Sequence, residues 1–235
     1  MTAIADIEPR AAGSASTARS ANARDRATFL REFLRAPLTV AAVTPSGAPL
    51  TGMVTATVPG TGAPLVVELG PGTGAFTAGI QQRLAGRGHH LAIEINKRFA
   101  ERLTDRYPQV DVAVADARNL REVLAVRGHH HADAIVSGLP WAAFAPSLQD
   151  DLLGAVTDSL APHGAFTTFA YIHTRWTPPA RRLRRSLDDR FEEVVVGRTV
   201  WANVPPAFVY SCRRPRVPVG LRKAPNEHRA WLAGC

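Results

Sequence analysis

Val66 to Phe76 reads VVELGPGTGAF, in which two valines, an acid and a leucine run into Gly70, Gly72 and Gly74, spaced every second residue. An apolar run ending in glycines reads as a buried strand entering a turn that approaches a nucleotide closely. In the hydride-transfer version of such a loop the third glycine follows the second by three residues, and the even spacing here does not match. The phosphate-cradling version ends in Gly-Lys-Ser/Thr, where this chain has Ala75 and Phe76. Glu68, placed before the first glycine, repels a pyrophosphate and suits a ligand with a cationic group.

Outward from this loop, short apolar runs alternate with helical patterns. Strands are expected near 64–69, 90–95, 110–115, 133–138 and 164–171, with helices at roughly 74–85, 97–106, 118–126 and 147–160. Such alternation implies an α/β fold with a parallel, doubly wound sheet and right-handed crossovers. After an arginine-rich stretch at 175–190, FEEVVVGRTVWA and AFVYSCR, joined through NVPP, read as a C-terminal antiparallel hairpin at the sheet edge. Upstream, residues 1–18 lack apolar periodicity and read as a flexible tail. From Ser20 to Arg35, Phe29, Leu30, Phe33 and Leu34 share one helical face while Arg24, Arg31 and Arg35 lie largely away from it, a basic amphipathic pattern. Ala36 to Val67 carries no charge, but Pro37, Pro45, Pro49, Pro59 and Pro64 break any continuous apolar helix. The expected organisation is a tail at 1–18, leading or lid helices at 19–58, a ligand-binding domain at 59–213 and a C-terminal tail at 214–235.

The chain has 235 residues, 46% hydrophobic and 20% charged, which is globular composition for one domain. A net charge of +8 favours an anionic partner, a phosphate-bearing lipid surface or a nucleic acid, although arginine usage also follows genomic base composition. With only Cys212 and Cys235, neither a disulfide framework nor a CxxC metal site is available, which fits a reducing cytoplasm. The N-terminal stretch carries acids and no apolar core of signal-peptide length, so export by that route is not expected.

S-adenosyl-L-methionine is a ligand with a cationic group, and the glycine loop resembles the first motif of class I S-adenosylmethionine-dependent methyltransferases. The resemblance implies that Glu94, closing the second strand in LAIEIN, takes the ribose hydroxyls, and that Asp116, closing the third in VAVADA, accepts from the adenine amino group. The alternatives are a solvated strand-end acid for Glu94 and a helix N-cap for Asp116. The fourth strand ends in SGLPWAAF, Ser137 to Phe144. This is similar to the Asn-Leu-Pro-Tyr type of motif in enzymes that methylate amines, where backbone carbonyls and an aromatic ring hold the nitrogen. On that reading Gly138 or Leu139 offers a carbonyl to a neutral amine and Trp141 faces the developing cation. The alternative for Pro140 and Trp141 is a rigid turn with its aromatic ring packed in the core.

From Phe29 to Arg213 the chain resembles the bacterial soluble phospholipid N-methyltransferases, which convert phosphatidylethanolamine stepwise to phosphatidylcholine. FLREFLRAPLTVAAVTPSG, VVELGPGTGAF, AIEIN, SGLP and VWANVPPAFVY carry the likeness. The family's fold is a mostly parallel seven-stranded sheet ending in an antiparallel hairpin and preceded by N-terminal helices. The resemblance implies a cofactor site from Ser46, Glu68, Gly70, Gly72, Gly74, Glu94, Asp116, Ala117 and Ser137. It implies a reacting centre at Gly138, Leu139, Pro140, Trp141 and Tyr171. Basic or hydroxyl side chains take the lipid phosphate, with Arg31, Arg35, Tyr171 and Arg175 as candidates. It further implies a cytoplasmic enzyme, peripheral on the inner face of an anionic membrane, with the leading helix on lipid or serving only as a lid. Trp141 departs from the aliphatic residue expected after SGLP and would reshape the acceptor pocket.

Two other acceptors stay open, and so does a non-catalytic role. A small amine or specialised metabolite is favoured by Trp141. A nucleic-acid adenine is disfavoured by Ser137, where Asn or Asp is expected, and by the short segment after Cys212. A binding module without activity is disfavoured by the intact Glu68, Gly70, Gly72, Glu94 and Asp116. His129, His130 and His131 read as a solvated turn rather than a metal site. His173, two residues past Tyr171 on the same side of a continued strand, reads as a plain polar partner, with a general-base role as the alternative.

Overall fold

A computed structural model describes residues 47–216. Their elements are numbered here in chain order. The strands are β1 (Leu65–Leu69), β2 (His89–Glu94), β3 (Asp111–Val114), β4 (Ala132–Ser137), β5 (Leu160–Tyr171), β6 (Phe191–Val196) and β7 (Ala207–Pro215). The helices are α1 (Ala48–Val54), α2 (Thr77–Leu84), α3 (Lys97–Arg106), α4 (Leu120–Val126), α5 (Pro146–Ser159) and α6 (Pro178–Arg190). They build one seven-stranded sheet in the order β3-β2-β1-β4-β5-β7-β6. β1 to β5 run parallel, and β7 is antiparallel to both β5 and β6. The expected hairpin is therefore present, with its second strand inserted between β5 and the edge strand β6.

The inner parallel strands β1, β2 and β4 are largely buried because helices cover both faces of the sheet. β1 is buried at every position from Leu65 to Leu69. On one face Val66, Val136 and Val209 pack with Leu50 and Val54 of α1 and Phe76, Ile80 and Leu84 around α2. On the other, Phe166 of β5 meets Trp141 edge-on at 5.9 Å and stacks on Phe191 of β6 at 6.0 Å. Gly79 lets the first face close, since a Cβ there would lie 2.5 Å from the Thr51 methyl group of α1.

Element ends differ from the sequence pattern where backbone geometry intervenes. α2 begins at Thr77 rather than near 74 because Gly74 has φ +84°, which is outside helix geometry. β5 begins at Leu160, and an irregularity opposite Ala132–Ala134 absorbs the extra residues before regular pairing resumes at Ala165. Within the stretch at 175–190, Pro178–Arg190 forms α6, capped by Thr177, with Leu183 and Leu187 buried. Among the described residues no helix is long and apolar enough to cross a membrane.

Candidate active site

β1 lies between β2 and β4, so the connections leaving β1 and β4 diverge over opposite faces of the sheet. That switch point is where open α/β sheets bind ligands. The glycine loop sits there. Gly70, Gly72 and Gly74 have φ of +67°, +56° and +84°, the left-handed region that glycine occupies without steric cost. A Cβ on Gly70 would meet the Leu139 side chain at 2.6 Å, and one on Gly138 would meet the Gly70 carbonyl at 2.7 Å. The turn after β1 and the turn after β4 are thus in backbone contact, tied by the Gly138 amide donating to Leu69 O at 2.8 Å. Around Gly72 nothing lies within 4 Å of an added Cβ, leaving room for a ligand on that side.

Glu94 holds the loop's shape. One carboxylate oxygen accepts from the Gly72 amide at 3.1 Å and the other from the Asn96 amide at 2.8 Å. Burial pushes its pKa up, against the pull of the backbone bonds from Asn96 and Gly72. A carboxylate has about four lone-pair positions, so acceptor capacity remains beyond these amides for ligand hydroxyls. Glu68 is fully buried beneath the same loop. It accepts from the Thr77 hydroxyl at 2.7 Å and stands 3.3 Å from His90 Nε2, close enough for an ion pair but poorly aimed for a hydrogen bond. His90 Nδ1 in turn pairs with Gln81 Nε2 at 2.8 Å. Glu68 therefore braces the start of α2 from inside the fold, and Thr77, Gln81 and His90 are partners that the spacing of the glycines does not reveal.

Asp116 caps the short 3-10 turn Ala117–Asn119, accepting from the Arg118 amide at 2.9 Å. The Arg118 guanidinium grips the same carboxylate, its nearest nitrogen at 2.7 Å. Burial alone would raise the Asp116 pKa, but the Arg118 bonds outweigh it and hold the group below the usual carboxylate range. The N-cap alternative is thus realised, while the position at the end of β3 keeps the carboxylate on the rim that the resemblance implies.

The SGLP turn is rigid for reasons visible in its bonds. Ser137 Oγ accepts from the Leu139 amide at 3.3 Å and from the Trp141 indole N–H at 3.0 Å. Leu139 O accepts from the Trp141 amide at 3.0 Å, and Pro140 O from Ala143 at 2.9 Å. Among the described residues the Gly138 carbonyl accepts no hydrogen bond. Trp141 departs from the implied cation-facing role. Its indole is 1% exposed, edge-on to Phe144 and Phe166, with its N–H spent on Ser137. A large apolar ring whose one polar atom finds a buried partner belongs in the core.

A different aromatic row reaches the site. Phe76 at the end of the glycine loop meets Phe169 edge-on at 5.6 Å, Phe169 meets Tyr171 at 5.4 Å, and His173 stacks on Tyr171 at 5.7 Å. Burial raises the Tyr171 pKa, so the phenol stays protonated near neutrality. Arg175, just beyond, lies over the Trp176 ring at 5.3 Å. The structure thus gathers the three glycines, Glu94, Gly138, Leu139 and Pro140 at the carboxyl ends of the central strands β1, β2 and β4, with Asp116 and Ala117 after β3 and Tyr171 and Arg175 at and after the end of β5, whereas Glu68 and Ser137, expected at the cofactor, are fully buried beneath the two turns with their side chains bonded inside the fold. Ser46, Arg31 and Arg35 lie outside the described residues. His129, His130 and His131 line a cavity of about 770 Å³ with Leu160 and Pro215, at the opposite end of the sheet. No group of metal-ligating side chains occurs among the described residues.

Comparison with known proteins fits this arrangement. Residues 66–164 match the family described as Methyltransferase domain. The chain is 34% identical over 193 residues to an ornithine lipid N-methyltransferase of Singulisphaera acidiphila, covering 81% of this chain and 96% of that protein. The chain belongs to the class I S-adenosylmethionine-dependent methyltransferases. The O-methyltransferase TomG of Streptomyces achromogenes, solved in complex with S-adenosylmethionine, superposes on this methyltransferase with a TM-score of 0.59 at 15% identity, over 79% of this chain and 89% of its own. The CurJ carbon methyltransferase gives a TM-score of 0.54 at 17% identity over 69% of this chain and 51% of its own, so this chain spans about half of it. Proteins named for oxygen and for carbon methylation share the sheet, and fold alone leaves the acceptor open.

S-adenosylmethionine is the cofactor of this methyltransferase, and the open side of Gly72 and the remaining acceptor positions of Glu94 suit it. Two predictions arise here. Gly72→Ala forces an alanine into φ +56° at a cost of about 1–2 kcal/mol and puts a methyl group into the open side of the loop. Calorimetry should show a folded protein whose cofactor affinity falls at least about tenfold, the equivalent of ~1.4 kcal/mol. Asp116→Ala should weaken cofactor binding by about 1.5–3 kcal/mol, the worth of a charge-assisted hydrogen bond. Unchanged affinity in that folded variant would leave Asp116 as a cap only.

Proposed function

We propose that this methyltransferase transfers the methyl group to the amine of a membrane-lipid headgroup. The observation that carries the reading is the Gly138 carbonyl, which accepts no hydrogen bond among the described residues and is held against the glycine loop in a turn that its neighbours fix. A carbonyl there accepts the N–H of a neutral amine and turns the nitrogen lone pair toward the cofactor side of the switch point. The cofactor supplies a methyl group on a sulfonium, and the protein's share is positioning and electrostatics. Tyr171 and its aromatic neighbours offer ring faces to the cationic nitrogen that methylation produces, the part that the buried Trp141 does not take. The likeness to an ornithine lipid N-methyltransferase supports a lipid amine, and the chain's positive charge supports an anionic surface. Ornithine lipid and phosphatidylethanolamine are the acceptors to compare, and Arg175 is the cation nearest Tyr171 in sequence for the phosphate of the second.

The test is a comparison of acylated lipid with its soluble headgroup. Purified protein is assayed with labelled S-adenosylmethionine on ornithine lipid and phosphatidylethanolamine in detergent micelles, and on free ornithine and phosphoethanolamine. The reading expects kcat/KM for one of the lipids to exceed that of its headgroup by at least about 100-fold, the ~2.7 kcal/mol that burying a few methylene groups supplies. Equal rates on soluble amines would move the acceptor to a small metabolite.

A further inference from the structure

We propose that the turn after β5 and the loop between β6 and β7 form a face that docks on an anionic phospholipid bilayer. The face rests on the lipid-acceptor reading above, and it adds the part of the enzyme that meets the membrane. Trp176 and Trp201 are 72% and 73% exposed, and Val204 is 74% exposed. Indole rings are seldom left so open to water, and exposed apolar groups that cluster mark a contact surface. These do cluster. Ile172 donates to Pro206 O at 2.9 Å and Val200 to Ala207 O at 2.7 Å, which ties the chain entering Trp176 to the loop carrying Trp201 and Val204.

All of them sit at the carboxyl end of β5, the end that also carries the glycine loop and the SGLP turn. Cations stand among them. Arg175 covers the Trp176 ring, and Arg181 and Arg185 join Trp176 and Val196 around a recess of about 530 Å³. Among the described residues neither Arg181 nor Arg185 has an acidic partner, whereas Arg184 is paired with Asp188. Tryptophan settles at the boundary between headgroups and acyl chains, and arginine beside it meets lipid phosphates. Val204 and Val196 offer nothing to a base or a sugar but gain from contact with acyl chains. A lipid amine then enters past Arg175 and Tyr171, after β5, toward Gly138 at the end of the neighbouring β4.

The experiment uses the full chain and vesicles of phosphatidylglycerol and phosphatidylcholine, which hold no primary amine, so that binding is independent of the acceptor. Wild type should float with the vesicles at low salt and less at high salt, and brominated acyl chains should quench its tryptophan fluorescence. The double variant Trp176→Ala, Trp201→Ala should lose at least about tenfold in vesicle binding and most of the quenching. Its cofactor affinity and its transfer to lipid in detergent micelles should match wild type, which shows that it folds. A double variant that binds vesicles as wild type does, or a wild type that is not quenched because another protein segment or RNA occupies this face, overturns the docking face. Failure of the lipid-acceptor reading is separate, since it shows as absent transfer in micelles.

Discussion

Trp141→Ala should lower folding stability by about 3–5 kcal/mol, the cost of deleting a buried aromatic ring and leaving a cavity. The ring is packed edge-on against Phe144 and Phe166, and the deletion also leaves Ser137 Oγ short of a donor. In a domain of this size the midpoint of thermal unfolding should fall by roughly 6–20 °C. Denaturant unfolding should show a lower midpoint with an unchanged slope. Below that midpoint, cofactor affinity per folded molecule should change little. A variant of unchanged stability that has lost turnover would instead return the indole to the acceptor, as the family resemblance implied.

Glu94→Ala should be the most damaging substitution in the cofactor site. It removes the acceptor for the Gly72 and Asn96 amides and the charge offered to the ligand, each charge-assisted bond being worth about 1.5–3 kcal/mol. Cofactor affinity measured by calorimetry should fall at least about 100-fold, or ~2.7 kcal/mol. A pH dependence follows from the raised pKa. As pH falls through that value Glu94 takes up a proton, so affinity should decline in acid above the ordinary glutamate range. The apoprotein should respond in the opposite sense at this residue. Its folded-state pKa is the higher one, so protonation relieves the buried charge, and the resulting stability is complete below the unfolded-state pKa and lost as pH rises through the folded-state one. Glu94→Gln should flatten both profiles.

Much of the fold was legible in the chain because parallel strands covered on both faces leave mostly apolar runs, as in Leu65–Leu69, where Glu68 is the exception, and in Ala134–Val136. The glycine loop was legible because the even spacing of its glycines, with Ala75 and Phe76 after them, weakens both common phosphate-loop readings, and the structure gives each glycine a positive φ. What stayed hidden depends on direction and on contacts made at a distance. Whether Trp141 turns to the pocket or to the core is set by Ser137 and Phe166, and no periodicity reports it. Arg118 is only two residues from Asp116, yet its grip depends on the extended backbone of the cap. The Glu68–His90 contact joins two adjacent strands, and Gly79 serves packing between α1 and α2 rather than any ligand. The inner place of β7 in the sheet is a choice of topology that a hairpin pattern leaves open.

The central claim, a methyl group placed on a lipid amine, is tested most directly by finding the labelled atom. Purified protein is incubated with methyl-labelled S-adenosylmethionine and vesicles holding ornithine lipid and phosphatidylethanolamine, with free amines and RNA present as competitors. The products are fragmented in a mass spectrometer. Label on the headgroup nitrogen of an acylated lipid is the predicted result, and label on a soluble amine, on RNA or on a hydroxyl oxygen would contradict it.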